Sequence, residues 1–476
     1  MKFRNTYIIA ALFLAMIAYL AFVEAPRHDE DTQSKKLLQL KPEDVTELTL
    51  TYPDKQIALK KTAAGWHMQK PLDVAADPSA VTNMISALSD TELRRTLDGE
   101  SKSLETYGLD KPETVITIGL SNGKTLPGVR VGKAAPVGFS AYAHIEGSPN
   151  VVLVPSIFQT GMKRDVKDLR DKTIVDFKDD DVQTIELATP DTTTEVVRDG
   201  EAWKIAKPAE YKADATEIKA LLAALKGVRA EDFVDQPAAL SEYGLDAPRA
   251  KISVVVGADN TRKELWIGPE KAKDKKNVVY VKRADADTVY EVGSWIWGGL
   301  NKSVSSLRDK TVLAFDLASL ATVEVGRRGG EAYRVVKEQG KAPSKSPDGK
   351  GPEVAAEPTW KLDGAKSSKA LPIGELIEDL HGLKGYEVAA EKPGNLAQFG
   401  LADPELTFSL IDGAGKPLGR ILVSRVAAGQ TANLYAMAEG GDLVLHLRSY
   451  LYEHLDKKKE DLVELAPVAP PAPAEK

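Results

Sequence analysis

An alternation of apolar and polar residues with a period of two sets in at Val45, where VTELTLTY runs to Tyr52, and returns in VQTIELAT from Val182 and LATVEVGR from Leu320. Period two places successive side chains on opposite faces, so each stretch predicts a half-buried strand. A second strand leads into a tryptophan in GWHMQKP (Gly65 to Pro71), AWKIAKP (Ala202 to Pro208) and TWKLDGA (Thr359 to Ala365). The pairing predicts a hairpin with Trp66, Trp203 and Trp360 packed over a sheet.

The period then lengthens to that of a helix. Val81, Met84, Ile85 and Leu88 form one apolar stripe behind Asp77 as N-cap and Pro78 at the first helical position. Ile218, Leu221, Leu222 and Leu225 follow Asp214 and Glu217, a variant of the capping box. Leu376, Ile377, Leu380 and Leu383 make the third stripe. These stripes predict three core-facing helices.

Behind each helix stands one hexapeptide: YGLDKP at Tyr107 to Pro112, YGLDAP at Tyr243 to Pro248 and FGLADP at Phe399 to Pro404. Gly108, Gly244 and Gly400 are placed to take the left-handed conformation that closes a short helix, with Leu109, Leu245 and Leu401 folding back onto its last turn. Pro112, Pro248 and Pro404 forbid continuation, and the next strand opens as TVITIGL, AKISVVV or LTFSLID. The aromatic residue, glycine, leucine and proline thus predict a stop signal; a binding loop is the alternative.

Further marks follow in the same order. A strand ending in glycine or serine recurs as VRVGK, LWIGP and ILVSR; a tyrosine opens YAHIEG, YVKRAD and YAMAEG; an apolar strand then precedes the serine-led helices at Ser156, Ser294 and Ser449. LRDKT closes the first unit at Leu169 to Thr173 and the second at Leu307 to Thr311. Tyr107 and Tyr243 are 136 residues apart and Tyr243 and Phe399 156, so the comb describes three copies of one domain. The longer interval comes from GKAPSKSPDGKGPEVAAEP, a Gly, Pro, Lys and Ser-rich stretch that predicts a disordered hairpin tip at about 339–358. Short connections make the strands antiparallel. The fold class is α+β: three tandem repeats, each a mostly antiparallel sheet with two or three helices, behind one N-terminal transmembrane helix.

That helix is predicted from the apolar run Tyr7 to Val23, 17 residues without a charge. It exceeds a signal-peptide core and reaches the short end of a spanning helix, about 17 to 25 residues. Lys2 and Arg4 precede it and an acidic stretch follows, which orients the bulk of the chain away from the cytoplasm. A cleaved signal and a buried soluble helix are the alternatives. The expected organisation is a cytoplasmic N-terminus (1–6), a signal anchor (7–25), a linker (26–36), repeats at 37–173, 174–311 and 312–465, and a disordered Pro/Ala tail (466–476). The expected location is the inner membrane, single-pass, with the repeats periplasmic.

Composition narrows the chemistry. The 476 residues fit roughly three domains of ~150 residues. A net charge of −7 without a basic stripe argues against nucleic acid as a partner. The absence of cysteine excludes disulfides, thiolate metal sites, a cysteine nucleophile and a lipoprotein anchor. Among the six histidines only His446 and His454 stand close within one unit, and the other units lack them, so no metal site is expected. KDDDV at Lys178 to Val182 lacks the glycine and distal glutamate of a calcium loop and reads as a solvated turn. No G-x-S-x-G or phosphate loop is present. No catalytic residue, cofactor site or metal ligand is assigned.

The anchor followed by repeated G-W-x-[IM]-x-K-P, Y-G-L-x-x-P, V-G-K or I-G-P and L-R-D-K resembles an uncharacterised bacterial domain-of-unknown-function family of membrane-anchored extracytoplasmic repeat proteins. The resemblance covers Leu37 to Leu465. It implies a gene neighbourhood with gliding-motility-type ABC transporters, hence ABC-type transporter subunits as membrane partners. The third copy departs from the pattern, with Ser424 for the glycine, no proline after its tryptophan motif and no L-R-D-K. The expected function is a non-enzymatic scaffold or accessory protein of an export or surface-assembly system. An envelope module binding a glycan, lipid or peptide in a groove between repeats is the alternative, and an extracytoplasmic hydrolase the third.

Overall fold

The computed structural model describes residues 36–338, 359–428 and 431–463. The expected anchor, the insertion at 339–358 and the tail at 466–476 lie outside the described residues, as does nearly all of the linker. Among the described residues no helix is long and apolar enough to cross a membrane.

The first repeat shows the plan. The alternating stretch forms β1 (Val45–Thr51), followed by β2 (Gln56–Thr62) and β3 (Gly65–Lys70), the short β4 (Val74–Ala75) and the helix α1 (Pro78–Asp90). After α1 come β5 (Arg95–Leu97), β6 (Thr114–Leu120), β7 (Val129–Ala134), β8 (Ser140–Ile145) and β9 (Val151–Pro155), then α2 (Ser156–Met162) and α3 (Val166–Leu169). They make one nine-stranded sheet in the order β4-β3-β2-β1-β6-β7-β8-β9-β5. β1 lies antiparallel to both β2 and β6, so the two halves of the repeat join through the first strand. The second repeat repeats this order over nine strands and the third over eight.

Where the sequence pattern predicts two strands before α1, three full strands and the two-residue β4 form. The extra one, β2, carries QIALKKT, whose outer half is polar and exposed, so its period-two signal is brief. The tryptophan therefore sits on the third strand; Trp66 and Trp203 are buried and Trp360 is half-buried. Asp77 caps α1 by accepting from the N–H groups of Ser79 and Ala80, and Asp214 caps the helix Ala215–Lys226 in the same way.

Each repeat has its own apolar core, drawn from Leu37 to Leu169, Ile174 to Leu307 and Val312 to Leu462. The stripes are in these cores: Val81, Met84, Ile85 and Leu88 are all buried, as are Ile218, Leu221, Leu222 and Leu225. The third helix, Ala370–His381, buries Ile373, Leu376, Ile377 and Leu380.

The joints between repeats are built from L-R-D-K-T. Leu169 and Leu307 are buried in their own cores. Asp171 Oδ1 accepts the N–H of Thr173 while Asp171 N donates to Ala75 O, so the chain is still tied to repeat 1 at this point. One residue later Lys172 O accepts the N–H of Ala230 in repeat 2. Lys310 O and Gly385 N repeat that bond at the next joint. The arginines reach across. Arg170 chelates Asp235 at 2.8 and 2.9 Å and lies 3.8 Å above the Phe233 ring. Arg308 pairs with Glu391 of repeat 3 and stacks 4.0 Å from the Tyr211 ring. The motif is absent from the third repeat.

Candidate functional site

The hexapeptides occupy three equivalent places and do not converge. Gly108, Gly244 and Gly400 have φ of 67°, 67° and 71°, and Leu109, Leu245 and Leu401 behind them are buried. Gly108 N donates to Glu105 O and Leu109 N to Leu104 O, the paired bonds of a Schellman cap. The same pairs close the second and third copies. Pro112, Pro248 and Pro404 stand two residues before the strands that begin at Thr114, Ala250 and Leu406.

The other marks interlock with this turn. Tyr107 meets Tyr142 at 4.7 Å between ring centroids, Tyr243 meets Tyr280 at 5.1 Å, and Phe399 meets Tyr435 at 5.2 Å. A Cβ on Gly132 would lie 2.5 Å from Tyr107 O, and one on Gly268 2.7 Å from Tyr243 O. The glycine of V-G-K and I-G-P is therefore the seat over which the hexapeptide passes. In the third repeat Ser424 is fully buried there, and its hydroxyl accepts from Glu405 N at 3.3 Å.

A cleft between the second and third repeats holds about 690 Å³. Repeat 2 supplies Asp214 and Glu217 from the start of its long helix and Lys302, Ser306 and Lys310 from its closing segment. Repeat 3 supplies Asp379, Lys384, Tyr386, Arg448 and Tyr450, among others. Lys384 bridges the cleft to Asp214 at 2.8 Å, while Lys302 holds Glu217 at 2.8 Å. Burial alone would raise the Asp214 carboxyl, but the Lys384 ammonium and the N–H groups of Thr216 and Glu217 outweigh it and hold it below the usual range. Burial lowers Lys310, whose ammonium donates to Ser305 O at 2.7 Å and Arg308 O at 3.1 Å.

The repeat 3 wall is aromatic. Tyr386 OH and His446 Nδ1 are 2.7 Å apart, and the His446 ring stacks on Tyr435 at 5.0 Å. Arg448 lies 5.7 Å from the Tyr386 ring. Tyr386 and Tyr450 both stay substantially exposed. Two open aromatic rings beside a guanidinium and paired charges suit a polar ligand that stacks and hydrogen-bonds, such as a sugar or an extended peptide. Elsewhere, Asp179 of the KDDDV turn pairs with Lys226 at 2.9 Å, and His454 with Asp379 at 3.3 Å. Among the described residues no group of three or more His, Asp or Glu is arranged to hold a metal ion.

Of the cleft residues, the sequence marks Asp214 and Glu217 only as helix caps, Lys310 only as part of L-R-D-K-T and Leu383 only as part of a core stripe. Tyr386 occupies a position held by Glu231 in repeat 2 and Arg94 in repeat 1, so no recurring residue marks it. The joint residues did leave a signal: L-R-D-K-T stands at both joints, between repeats 1 and 2 and between repeats 2 and 3.

The fold and the joints define a tandem α+β repeat protein whose units are fastened end to end. The chain belongs to the family described as Domain of unknown function (DUF4340), which it matches at residues 66–235, 203–362 and 360–473. The first two matches begin at a repeat's tryptophan and run past the joint into the next repeat. No curated protein and no solved structure matches the chain.

Proposed function

We propose that this protein is a non-enzymatic, membrane-anchored extracytoplasmic scaffold or accessory protein, and that it serves an ABC-type export or surface-assembly system. The observation that carries the reading is the pair of arginine clasps, Arg170 to Asp235 and Arg308 to Glu391, which fix three copies in one polar array. An array held this way presents the same surface position at a set spacing. Ile157, Trp295 and Tyr450 occupy that position, one residue into each serine-led stretch, and all three are exposed. Large apolar side chains exposed at a repeated position favour docking of partner proteins over catalysis. The apolar run Tyr7 to Val23 supports the anchor, and the family resemblance supports the transporter. A tagged full-length chain should recover transporter subunits from gently solubilised membranes, and should lose them when Trp295 and Tyr450 are both replaced by Ser. Recovery of no membrane partner would overturn the scaffold reading.

The cleft between repeats 2 and 3 favours a second reading, an envelope module that binds a glycan or peptide against Tyr386 and Tyr450. Its test is titration of the chain with cell-wall oligosaccharides and with extended peptides, followed by tyrosine fluorescence. Saturable quenching that Tyr386→Ala removes would support it.

A further inference from the structure

The N-terminal end of repeat 1 differs from the same end of repeats 2 and 3. The chain enters the described structure at Lys36, which bridges to Glu92, and Leu37 N donates to Thr91 O at 2.8 Å. Glu92 stands three residues before Arg95, the first residue of β5, which faces Leu153 on β9. Pro155, at the end of β9, pairs with Ser140, and Ser156 N donates to Phe139 O. The entry point, the β7–β8 tip and the start of α2 therefore share one end of the sheet.

That end is apolar where it should be polar. The tip between β7 and β8 reads APVGF, with Val137 82% and Phe139 90% exposed, and Ile157 beside it on α2 is 76% exposed. Phe139 has a φ of 45°, a conformation that bulky residues rarely adopt and that here turns the ring outward. The counterpart tip in repeat 2 is Lys273, Asp274, Lys275 and Lys276, charged throughout. The charge of the flanking strand is also reversed. Arg94 and Arg95 are exposed and have no ion pair among the described residues, whereas the same positions in repeat 2 are Glu231 and Asp232. Repeat 2 turns this end toward repeat 1, and repeat 3 turns it toward repeat 2. Among the described residues, no repeat packs against this end of repeat 1.

We propose that this end of repeat 1 docks on the anionic lipid surface of the membrane, with Val137, Phe139 and Ile157 entering the interface and Arg94 and Arg95 meeting the phosphates. The proposal rests on the membrane-anchored reading given above. Twelve residues lie between Val23, the end of the apolar run, and Lys36. Fully extended, that length spans at most about 45 Å, so the anchor keeps the apolar end near the bilayer. Aromatic and aliphatic side chains flanked by arginines match the region between headgroups and acyl chains. A protein partner would not need the cations to flank the apolar tip at the chain's entry.

The chain has no cysteine, so single labels can be placed without other changes. The full-length protein bearing Phe139→Cys, or Trp295→Cys as the comparison, is labelled with an environment-sensitive fluorophore and reconstituted into vesicles of phosphatidylethanolamine and phosphatidylglycerol. Lipid-borne nitroxides near the headgroups should quench the label at 139 at least about twofold more than the label at 295, and aqueous iodide should reach it less. Replacing Arg94 and Arg95 together by Glu should remove the difference while the protein still floats with the vesicles. Equal iodide access at both positions overturns the proposal, as does a label at 139 shielded from both quenchers, which would show a second copy covering the tip. Failure of the protein to float with the vesicles would overturn the anchored reading and this inference with it; flotation without lipid quenching at 139 would overturn this inference alone.

Discussion

Arg170 leaves repeat 1 at the end of its last helix and closes both guanidinium nitrogens on the Asp235 carboxylate of repeat 2, with Phe233 beneath its plane. The arginine side chain is 9% exposed, so the pair is shielded on the cationic side and open on the other.

Removing Arg170 should therefore cost more than a surface pair does. Arg170→Ala is expected to weaken the joint by roughly 2 kcal/mol, between the ranges for exposed and fully buried pairs. Repeat 1 should then unfold separately from repeat 2 in denaturant, visible as a split transition. Arg170→Lys should recover little, because an ammonium neither chelates the carboxylate nor stacks on the ring.

The left-handed glycines set a second expectation. Gly108→Val should destabilise repeat 1 by roughly 1–2 kcal/mol through the backbone conformation alone, since the space around it is only ordinarily tight. Gly244→Val should be worse, because its Cβ would come within 2.5 Å of Pro269 Cδ. Thermal unfolding of the two variants checks the order.

Acid should loosen the joint between repeats 2 and 3. The carboxyls of Asp214 and Asp309 are both held below their ordinary value: burial opposes this in each case, but Lys384 and Lys212 respectively, with nearby N–H donors, prevail. A carboxyl depressed in the folded state contributes stability that is fully present above its unfolded value of about 4 and is lost as pH falls through the folded value. Unfolding followed below about pH 4 should show this loss. Asp214→Asn should flatten that part of the profile and lower stability at neutral pH.

The insertion at 339–358 offers a fourth. Glu338 and Thr359, which flank it, are already paired across neighbouring strands. Replacing those residues by a two-residue turn like Asp199-Gly200 should leave the third core intact. The shorter loop should raise its stability by up to about 2 kcal/mol, the difference in closure entropy. Denaturant unfolding of the shortened chain gives the answer.

Much of the repeat plan was legible because its marks are local. Gly108 closes a helix, and Leu109 and Pro112 serve it within a few residues, so a single hexapeptide carries the whole instruction. Long-range contacts were not legible in that way. Nothing near Gly132 says that Tyr107 O will lie above it, and nothing near Tyr386 announces a cleft whose other wall is more than 160 residues earlier at Asp214 and Glu217. The third strand of the opening meander escaped for a different reason: LysLys at positions 60 and 61 breaks the alternation of β2 after two buried positions.

The arginine clasp gives the array a direction. Each repeat that carries L-R-D-K-T reaches the next with its own arginine, and the next supplies the carboxylate, Asp235 or Glu391. Ser368 still bridges to Val463 in repeat 3, as Ala76 does to Arg170 and Ala213 to Arg308, so the closing turn is kept while the hook beyond it is gone. At that turn Val463 stands where Arg170 and Arg308 stand, so the third copy is held by its predecessor's arginine and has no such arginine of its own.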